Sequence, residues 1–327
     1  MRKMFYCQSA EIMEKPPSID FAKNNNYLHV FFVNNPIVKV LTRLIVASYG
    51  LNPSDVLCVM VRGTDTKLIP YESVEMLDSM VNRVSMKLFA SSLSGIAIRR
   101  QLERRNRKFL VYASWMYAEI EKVVESKLCL GHIYLEEGQQ TYYLSKSYTP
   151  NKSNNWKTRK ENIQRGDINY YFRSDAVAYI SLTKESFPLV DKRKVFLLNN
   201  IGSLTKEYKG SLKGVFNIGV FPAPRRIPRE NLIDAVELFF NAMGSGAVKL
   251  HPGFEADKKM KHYVCDLFRD HTENRLYVCH EDVILELEML TESKCFYGTR
   301  SSVSRYAEIF GSKYVFLEFK NYQVPLN

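Results

Sequence analysis

The run DVLCVMVRG at residues 55–63 constrains the fold more than any other feature of this sequence. From Val56 to Val61 every side chain is apolar or a cysteine, so a strand made of these residues has two apolar faces. Such strands occur in parallel sheets that helices cover on both sides. A helical pattern precedes the run, with Asn35 as N-cap, Pro36 as first helical residue and Gly50 as the stop. The sequence therefore predicts strand–helix–strand units of an α/β protein.

The same alternation extends along most of the chain, in two regions. The first region has further strand-like runs at 27–33, 109–115 and 129–138. In the second region amphipathic helices alternate with strands, which are predicted at 214–221, 247–252, 275–280, 294–299 and 313–319. We predict an α/β fold of two Rossmann-like, doubly wound domains, 1–205 and 206–327, that face each other across a cleft. This architecture is found in GT-B glycosyltransferases and in other two-domain α/β enzymes.

A polar and basic stretch, residues 150–173, separates the two regions. It combines Asn, Lys and Arg with aromatic residues, and we predict that it is a long loop. It either contacts a substrate or a membrane, or it is a solvated surface insertion. The formal net charge of +11 also indicates a polyanionic partner, which is nucleic acid, an anionic membrane face or a charged glycan or nucleotide sugar.

The first residues, MRKMFYCQSAEIMEK, lack the apolar core of a secretory signal. No apolar run in the sequence reaches the roughly 18 residues that a membrane-spanning helix needs. We therefore expect a cytoplasmic protein, with peripheral contact to the cytoplasmic face of the inner membrane as a further expectation from its basic charge.

Three short motifs follow predicted strands: Glu136-Glu137-Gly138, Leu250-His251-Pro252 and Thr299-Arg300-Ser301-Ser302. In open α/β sheets, ligands bind beyond the carboxyl ends of the strands. Each motif also has a purely structural interpretation, as a solvated turn, a capping histidine before a proline, or a helix cap. Together, however, they supply a carboxylate, an imidazole and two hydroxyls at predicted strand ends.

Transfer of a sugar from a phosphate leaving group needs such a set. A carboxylate accepts the proton of the attacking hydroxyl, while an imidazolium, hydroxyls and a helix N-terminus neutralise the departing phosphate. The sequence contains no Asp-x-Asp, which is the usual metal–diphosphate motif of many glycosyltransferases. We therefore expect no metal and a leaving group with a single phosphate, such as CMP.

In this order, the three motifs resemble the D/E-D/E-G, HP and S/SS motifs of bacterial sialyltransferases. The resemblance implies a GT-B fold, CMP-sialic acid as donor substrate, inversion at the anomeric carbon and no cofactor. It further implies that Glu136 is the general base, that Glu137 is the second acid and that Gly138 forms the close turn. A glutamate base departs from the aspartate of several members.

On the donor side, the resemblance implies that His251 binds the CMP phosphate and protonates it on departure. Lys249 and Pro252 flank this histidine where the cytidine packs, and Ser301 and Ser302 are the hydroxyl pair on the phosphate. The C-terminal domain is then the CMP-sugar-binding domain, and the N-terminal domain binds the acceptor and carries the base.

We expect transfer of sialic acid to a hydroxyl of a cell-surface glycan precursor, of the lipooligosaccharide or capsule type, with a lipid-linked or polyanionic acceptor. A polysialyltransferase and a transferase of another CMP-activated acidic sugar stay open as alternatives. A basic nucleic-acid-binding protein is the alternative outside enzymes, although no known nucleic-acid-binding motif supports it. The acceptor sugar, the linkage and the oligomeric state are not predicted.

Overall fold

The computed structural model describes residues 15–61, 66, 69–76, 93–116, 118–138, 141–142, 176–188, 190–198 and 210–319. The chain divides into two compact units, Met1–Asn200 (unit 1) and Ile201–Asn327 (unit 2), whereas the sequence analysis places the boundary after residue 205. The basic stretch 150–173 lies outside the described residues. In the described part of the chain, no helix combines the length and the hydropathy required to cross a membrane.

Unit 1 contains a parallel sheet of seven strands among its described residues, in the order β3-β2-β1-β4-β5-β6-β7. The strands are β1 (Leu28–Val33), β2 (Val56–Met60), β3 (Glu72–Glu75), β4 (Phe109–Ala113), β5 (Cys129–Leu135), β6 (Ala176–Ser181) and β7 (Val195–Leu197). The helices are α1 (Pro17–Asn24), α2 (Pro36–Tyr49), α3 (Leu93–Arg104) and α4 (Ala118–Val124), with short 3-10 helices at Pro53–Asp55 and Lys192–Lys194.

The apolar strands take the central positions of this sheet. Every residue of β1, β2 and β4 is buried, as the two-faced apolar pattern predicts. Helix α2 begins as predicted, because the Asn35 side chain accepts a hydrogen bond from the Val38 N–H (2.9 Å) and Pro36 is the first helical residue. It ends before Gly50, also as predicted. The sequence analysis does not predict β3, β6 or β7.

Unit 2 contains a parallel sheet of five strands among its described residues, in the order β10-β9-β8-β11-β12. The strands are β8 (Asn217–Val220), β9 (Gly246–Lys249), β10 (Leu276–Val278), β11 (Cys295–Gly298) and β12 (Lys313–Phe316). The helices are α5 (Leu232–Met243), α6 (Lys258–His271), α7 (Leu285–Thr291) and α8 (Ser302–Ile309), with 3-10 helices at Pro224–Arg226, Arg229–Asn231 and Pro252–Ala256. All five strands were predicted.

The core of unit 2 is rich in aromatic side chains. Phe221, just beyond β8, contacts Phe239 of α5, Phe254 and Phe268 of α6, with ring centroids 5.4–6.0 Å apart. These four rings are almost completely buried. Burial of such rings contributes much of the apolar surface that holds helices against a sheet.

In each sheet, the direction in which strands are added reverses once. In unit 1 the chain builds β1, β2 and β3 to one side and then returns to place β4 on the other side of β1. In unit 2 it builds β8, β9 and β10 and then returns to place β11 beside β8. These reversals, next to β1 and next to β8, are the switch points at which doubly wound sheets bind ligands. Two doubly wound, Rossmann-like α/β units confirm the predicted fold class.

Candidate functional site

The acidic motif follows β5, on the same edge of the sheet as the unit 1 switch point. Glu136 is fully buried, with 0% of its surface exposed. Its Oε1 accepts a hydrogen bond from the Tyr142 hydroxyl (2.5 Å), and its Oε2 accepts from the Leu182 N–H (2.8 Å) and the Ser186 hydroxyl (2.7 Å). These donors replace the water that the carboxylate loses on burial. Glu136 therefore ties the end of β5 to the turn that follows β6.

The hydroxyl of Tyr142 is one of the donors to this buried carboxylate. Burial, and then the negative charge of Glu136, raise the pKa of the Tyr142 phenol well above its usual value. The phenol therefore stays protonated and donates a hydrogen bond to Glu136. The Tyr142 oxygen also lies 2.9 Å from the Thr183 hydroxyl, which extends the network to the turn after β6.

Glu137 is only partly buried and is held from outside its own strand. Its Oε1 accepts hydrogen bonds from Nδ2 of Asn34 (3.1 Å) and from Nδ2 of Asn35 (2.7 Å). The oxygen of each amide has its own donor, since Asn35 Oδ1 accepts from the Val38 N–H and Asn34 Oδ1 accepts from the Ser114 hydroxyl (3.2 Å). This arrangement directs both NH₂ groups at Glu137.

The carboxylate of Glu137 lies near the N-terminus of α2. Its amide partner Asn35 is the N-cap of α2, and the positive end of a helix dipole stabilises a nearby anion. The two asparagines that hold Glu137 follow β1, and Ser114, which orients Asn34, follows β4; these two strands border the switch point. Gly138 follows with φ 113°, a conformation that L side chains rarely adopt, and its carbonyl accepts the Thr141 N–H (3.0 Å). The acid pair thus ends at a glycine whose backbone conformation suits the close turn that the family resemblance implies.

His251 lies beyond β9 and caps the 3-10 helix Pro252–Ala256. Its Nδ1 accepts the Gly253 N–H (2.9 Å), so the neutral ring carries its proton on Nε2. Burial of part of the ring, and then the positive charges of Arg226 and Arg225, lower the pKa of His251. A lowered pKa favours the neutral imidazole, which donates through Nε2–H, over the imidazolium that the sequence predicts.

The residues that flank His251 have structural contacts. The Lys249 ammonium donates to the carbonyl oxygens of His280 (3.1 Å) and Glu281, so it ties the end of β9 to the residues after β10. Burial lowers the pKa of this lysine. Pro252 is the exposed first residue of the 3-10 helix. The predicted place of both beside a cytidine stays a prediction.

Ser301 and Ser302 lie where β11 is followed by α8, which borders the unit 2 switch point. Ser301 is the N-cap, and the Ser304 hydroxyl accepts the Ser301 N–H (3.4 Å) and donates to the Ser301 carbonyl (2.7 Å). Ser301 and Ser304 together form a capping box at this helix N-terminus. Ser302 is the first helical residue and is partly exposed. The N-terminus of α8 therefore presents a hydroxyl and N–H groups suited to an anion.

Arg225 and Arg226 follow β8 in the 3-10 helix Pro224–Arg226 and are not among the predicted site residues. Their charges act on His251. Strand order is the signal that could have found them, since the first strand of a doubly wound unit borders its switch point. The same signal would have found Asn34 and Asn35 after β1.

No protein-family model and no curated protein sequence matches the chain. Solved structures with a similar fold include a protein assigned as a UDP-N-acetylglucosamine 2-epimerase from Listeria monocytogenes. It has a TM-score of 0.55 and 10% sequence identity, over 88% of this chain and 78% of that one. An α/β-galactoside α-2,3-sialyltransferase from Photobacterium phosphoreum has a TM-score of 0.50 and 12% identity, over 89% of this chain and 91% of that one. These similarities support the GT-B-like fold class and, at such identities, nothing beyond the fold.

Proposed function

We propose that this chain is a glycosyltransferase that moves sialic acid from CMP-sialic acid to a hydroxyl of a cell-surface glycan precursor. The observation that carries the proposal is the carboxylate of Glu137, which two oriented amides hold at the strand ends beside a switch point. The other unit offers, at its own strand ends, neutral donors and a helix N-terminus suited to a phosphate. A base for an acceptor hydroxyl and donors for a leaving phosphate are the two requirements of this reaction.

We assign the general base to Glu137. The resemblance to sialyltransferases gives this role to Glu136, and that assignment stays a prediction. Glu136 is fully buried and its oxygens accept hydrogen bonds from Tyr142, Leu182 and Ser186, which suits a carboxylate that positions the turn. Glu137 is the less buried of the two acids, although its Oε2 atom is also closed to solvent. In the proposed step the acceptor oxygen bonds to the anomeric carbon and its proton passes to a Glu137 oxygen. The carbon–oxygen bond to the phosphate breaks, its electron pair leaves with CMP, and the anomeric configuration inverts.

The groups around His251 are proposed to stabilise the departing phosphate. His251 Nε2–H, the Ser301 and Ser302 hydroxyls and the N-terminus of α8 donate hydrogen bonds as negative charge grows on the leaving oxygen. In this proposal the neutral His251 ring acts as a hydrogen-bond donor. The phosphate leaves without taking the Nε2 proton of the ring. We propose that no metal is required and that the reaction occurs in the cytoplasm, with a lipid-linked or polyanionic acceptor suited to the net charge of +11.

The test is incubation of the purified chain with CMP-sialic acid and a panel of galactosides and sialosides, analysed by mass spectrometry. We expect the mass of one acceptor to increase by one sialyl residue, and a Glu137→Gln preparation is the matched control. A ladder of products would favour a polysialyltransferase. Transfer from UDP-sugars but not from CMP-sialic acid would retain the glycosyltransferase and reject the donor. Tight binding to RNA without any transfer would contradict the proposal.

A further inference from the structure

The arginines after β8 lie beside the phosphate-binding groups proposed above. Within the sheet, Val220 at the end of β8 pairs with Lys249 of β9 on one side and with Gly298 of β11 on the other. The residues that follow these three strands therefore emerge at one edge. A methyl group in place of a Gly298 hydrogen would lie 2.6 Å from the Val220 carbonyl oxygen, which shows how closely β8 and β11 approach at the switch point.

The turn after β8 also touches the turn that carries His251. A methyl group on Gly253 would lie 3.4 Å from Pro224 Cδ and 3.1 Å from His251 Nδ1, so the two turns are neighbours. Arg225 and Arg226 directly follow Pro224. Their positive charges lower the pKa of His251, which agrees with this proximity.

The same edge carries arginines as well as the acidic residues Glu255, Glu281 and Asp282, whose charges act on Lys249. Arg225 is exposed and makes no ion pair within the described residues, and the same holds for Arg300 after β11. Arginines thus follow both strands that border the switch point, beside a histidine that is already neutral. One phosphate, bound by His251 and the N-terminus of α8, would leave these guanidinium groups without a counter-charge. Guanidinium groups are suited to bind planar carboxylates and phosphates through two parallel hydrogen bonds.

We infer that Arg225 and Arg226, with Arg300 on the opposite side, bind a second anionic group of the donor next to the phosphate that His251 contacts. The inference rests on the proposed function of unit 2 as donor-binding domain. Two donors carry such a group: an acidic sugar nucleotide, through its carboxylate, and a nucleoside diphosphate sugar, through its second phosphate. Arginine binding is common to both, and the experiment separates them.

The test compares pairs of ligands that differ by one anionic group, by titration calorimetry with the full chain. One pair is CMP-sialic acid and its carboxyl methyl ester, and the other is CMP and CDP. The variant is Arg225→Gln with Arg226→Gln. Arg229→Gln is the matched control, since Arg229 is an exposed arginine of the same connection whose guanidinium packs over the Tyr263 ring at 5.2 Å.

In the wild type we expect the ligand with the extra anion to bind more tightly within one pair. In the double variant that advantage should fall by roughly 10- to 100-fold, the range for loss of a hydrogen bond between charged groups. Loss within the CMP-sialic acid pair identifies the carboxylate, and loss within the CMP and CDP pair identifies a second phosphate. The control should retain the advantage.

Three results would overturn the inference. They are a wild type without an advantage in either pair, an advantage that the double variant keeps, and an equal loss of the advantage in the Arg229→Gln control. These results leave the proposed function intact as long as CMP-sialic acid still binds and is transferred. A wild-type chain that binds none of the four ligands would reject the proposed donor together with the inference.

Discussion

The two units build the same kind of ligand edge from opposite charges. At the switch point of unit 1, asparagine amides after β1 and a serine after β4 orient the carboxylate of Glu137 after β5. At the switch point of unit 2, arginines follow β8 and β11, and His251 follows β9. Under the proposed function, one edge accepts a proton and the other binds anions. A single folding pattern supplies both, since strand order decides where side chains converge and the loops decide their charge.

The edges also differ in how their side chains are fixed. Glu136 and Glu137 are held by side chains and by a backbone N–H from other strands of the sheet. His251 is held by the Gly253 N–H of its own turn, and Ser301 by Ser304 of its own helix. A base has to be oriented to remove one proton, whereas a phosphate with several oxygens tolerates small displacements of its donors. Substitutions should therefore affect unit 1 more severely than unit 2.

The largest expected effect separates the two acids of unit 1. Glu137→Gln should lower kcat by about 10²- to 10⁴-fold, the usual contribution of a general base, with an unchanged melting temperature. Glu136→Gln should instead lower the melting temperature, because an amide NH₂ would face buried donors at a cost of about 1–3 kcal/mol. Thermal melts and initial rates with CMP-sialic acid measure both effects.

The opposite pattern would reassign the base. A Glu136→Gln enzyme that melts normally and has no turnover, beside an active Glu137→Gln enzyme, would restore the assignment that the family resemblance gives. Tyr142→Phe adds a check, since it removes one donor to Glu136 and leaves both carboxylates in place. We expect this variant to have a lower melting temperature and a nearly unchanged kcat.

The sequence predicts most of the strands and part of the residues at the two ligand edges. The predicted and the unpredicted features differ for a physical reason. Strands β1, β2, β4, β5 and β8 to β12 were predicted from apolar side chains, whereas β3 has the sequence ESVE and is mostly exposed at a sheet edge. A strand without a buried face leaves no apolar pattern. The acid pair was found because it follows a strand, but the burial of Glu136 depends on Leu182 and Ser186, which lie 46 and 50 residues away. Such contacts are not visible in a local pattern.

An intermediate effect is expected for His251, in unit 2. His251→Ala should lower kcat by about 10- to 100-fold, because one hydrogen bond to a charged group is lost. It should also lower the melting temperature, since the Gly253 N–H loses its acceptor. His251→Asn is the matched variant: its side chain can still cap that N–H but is shorter than an imidazole. We expect it to lose turnover and to keep the melting temperature.

The pH profile sharpens this prediction. The pKa of His251 is lowered, so the ring is already neutral at neutral pH and should stay a donor as the pH rises. The wild-type kcat should therefore not fall between about pH 6.5 and 8, where an ordinary imidazolium loses its proton. A fall in kcat over that range that His251→Asn abolishes would show that the imidazolium is the active form.

The smallest expected effect follows from the charge of the unit 2 edge itself. Glycosyltransferases that use a metal hold it with acidic side chains, commonly as Asp-x-Asp, and this sequence has no such motif. If the leaving group is bound at this edge as proposed, Arg225, Arg226 and Arg300 bring positive charge to it and would repel a divalent cation there. Treatment with EDTA should therefore leave the initial rate unchanged, and added magnesium or manganese should not raise it. Loss of activity in EDTA that either metal restores would contradict this account of the edge. It would mean that carboxylates recruit a cation to the donor, and that the arginines bind something other than its anions.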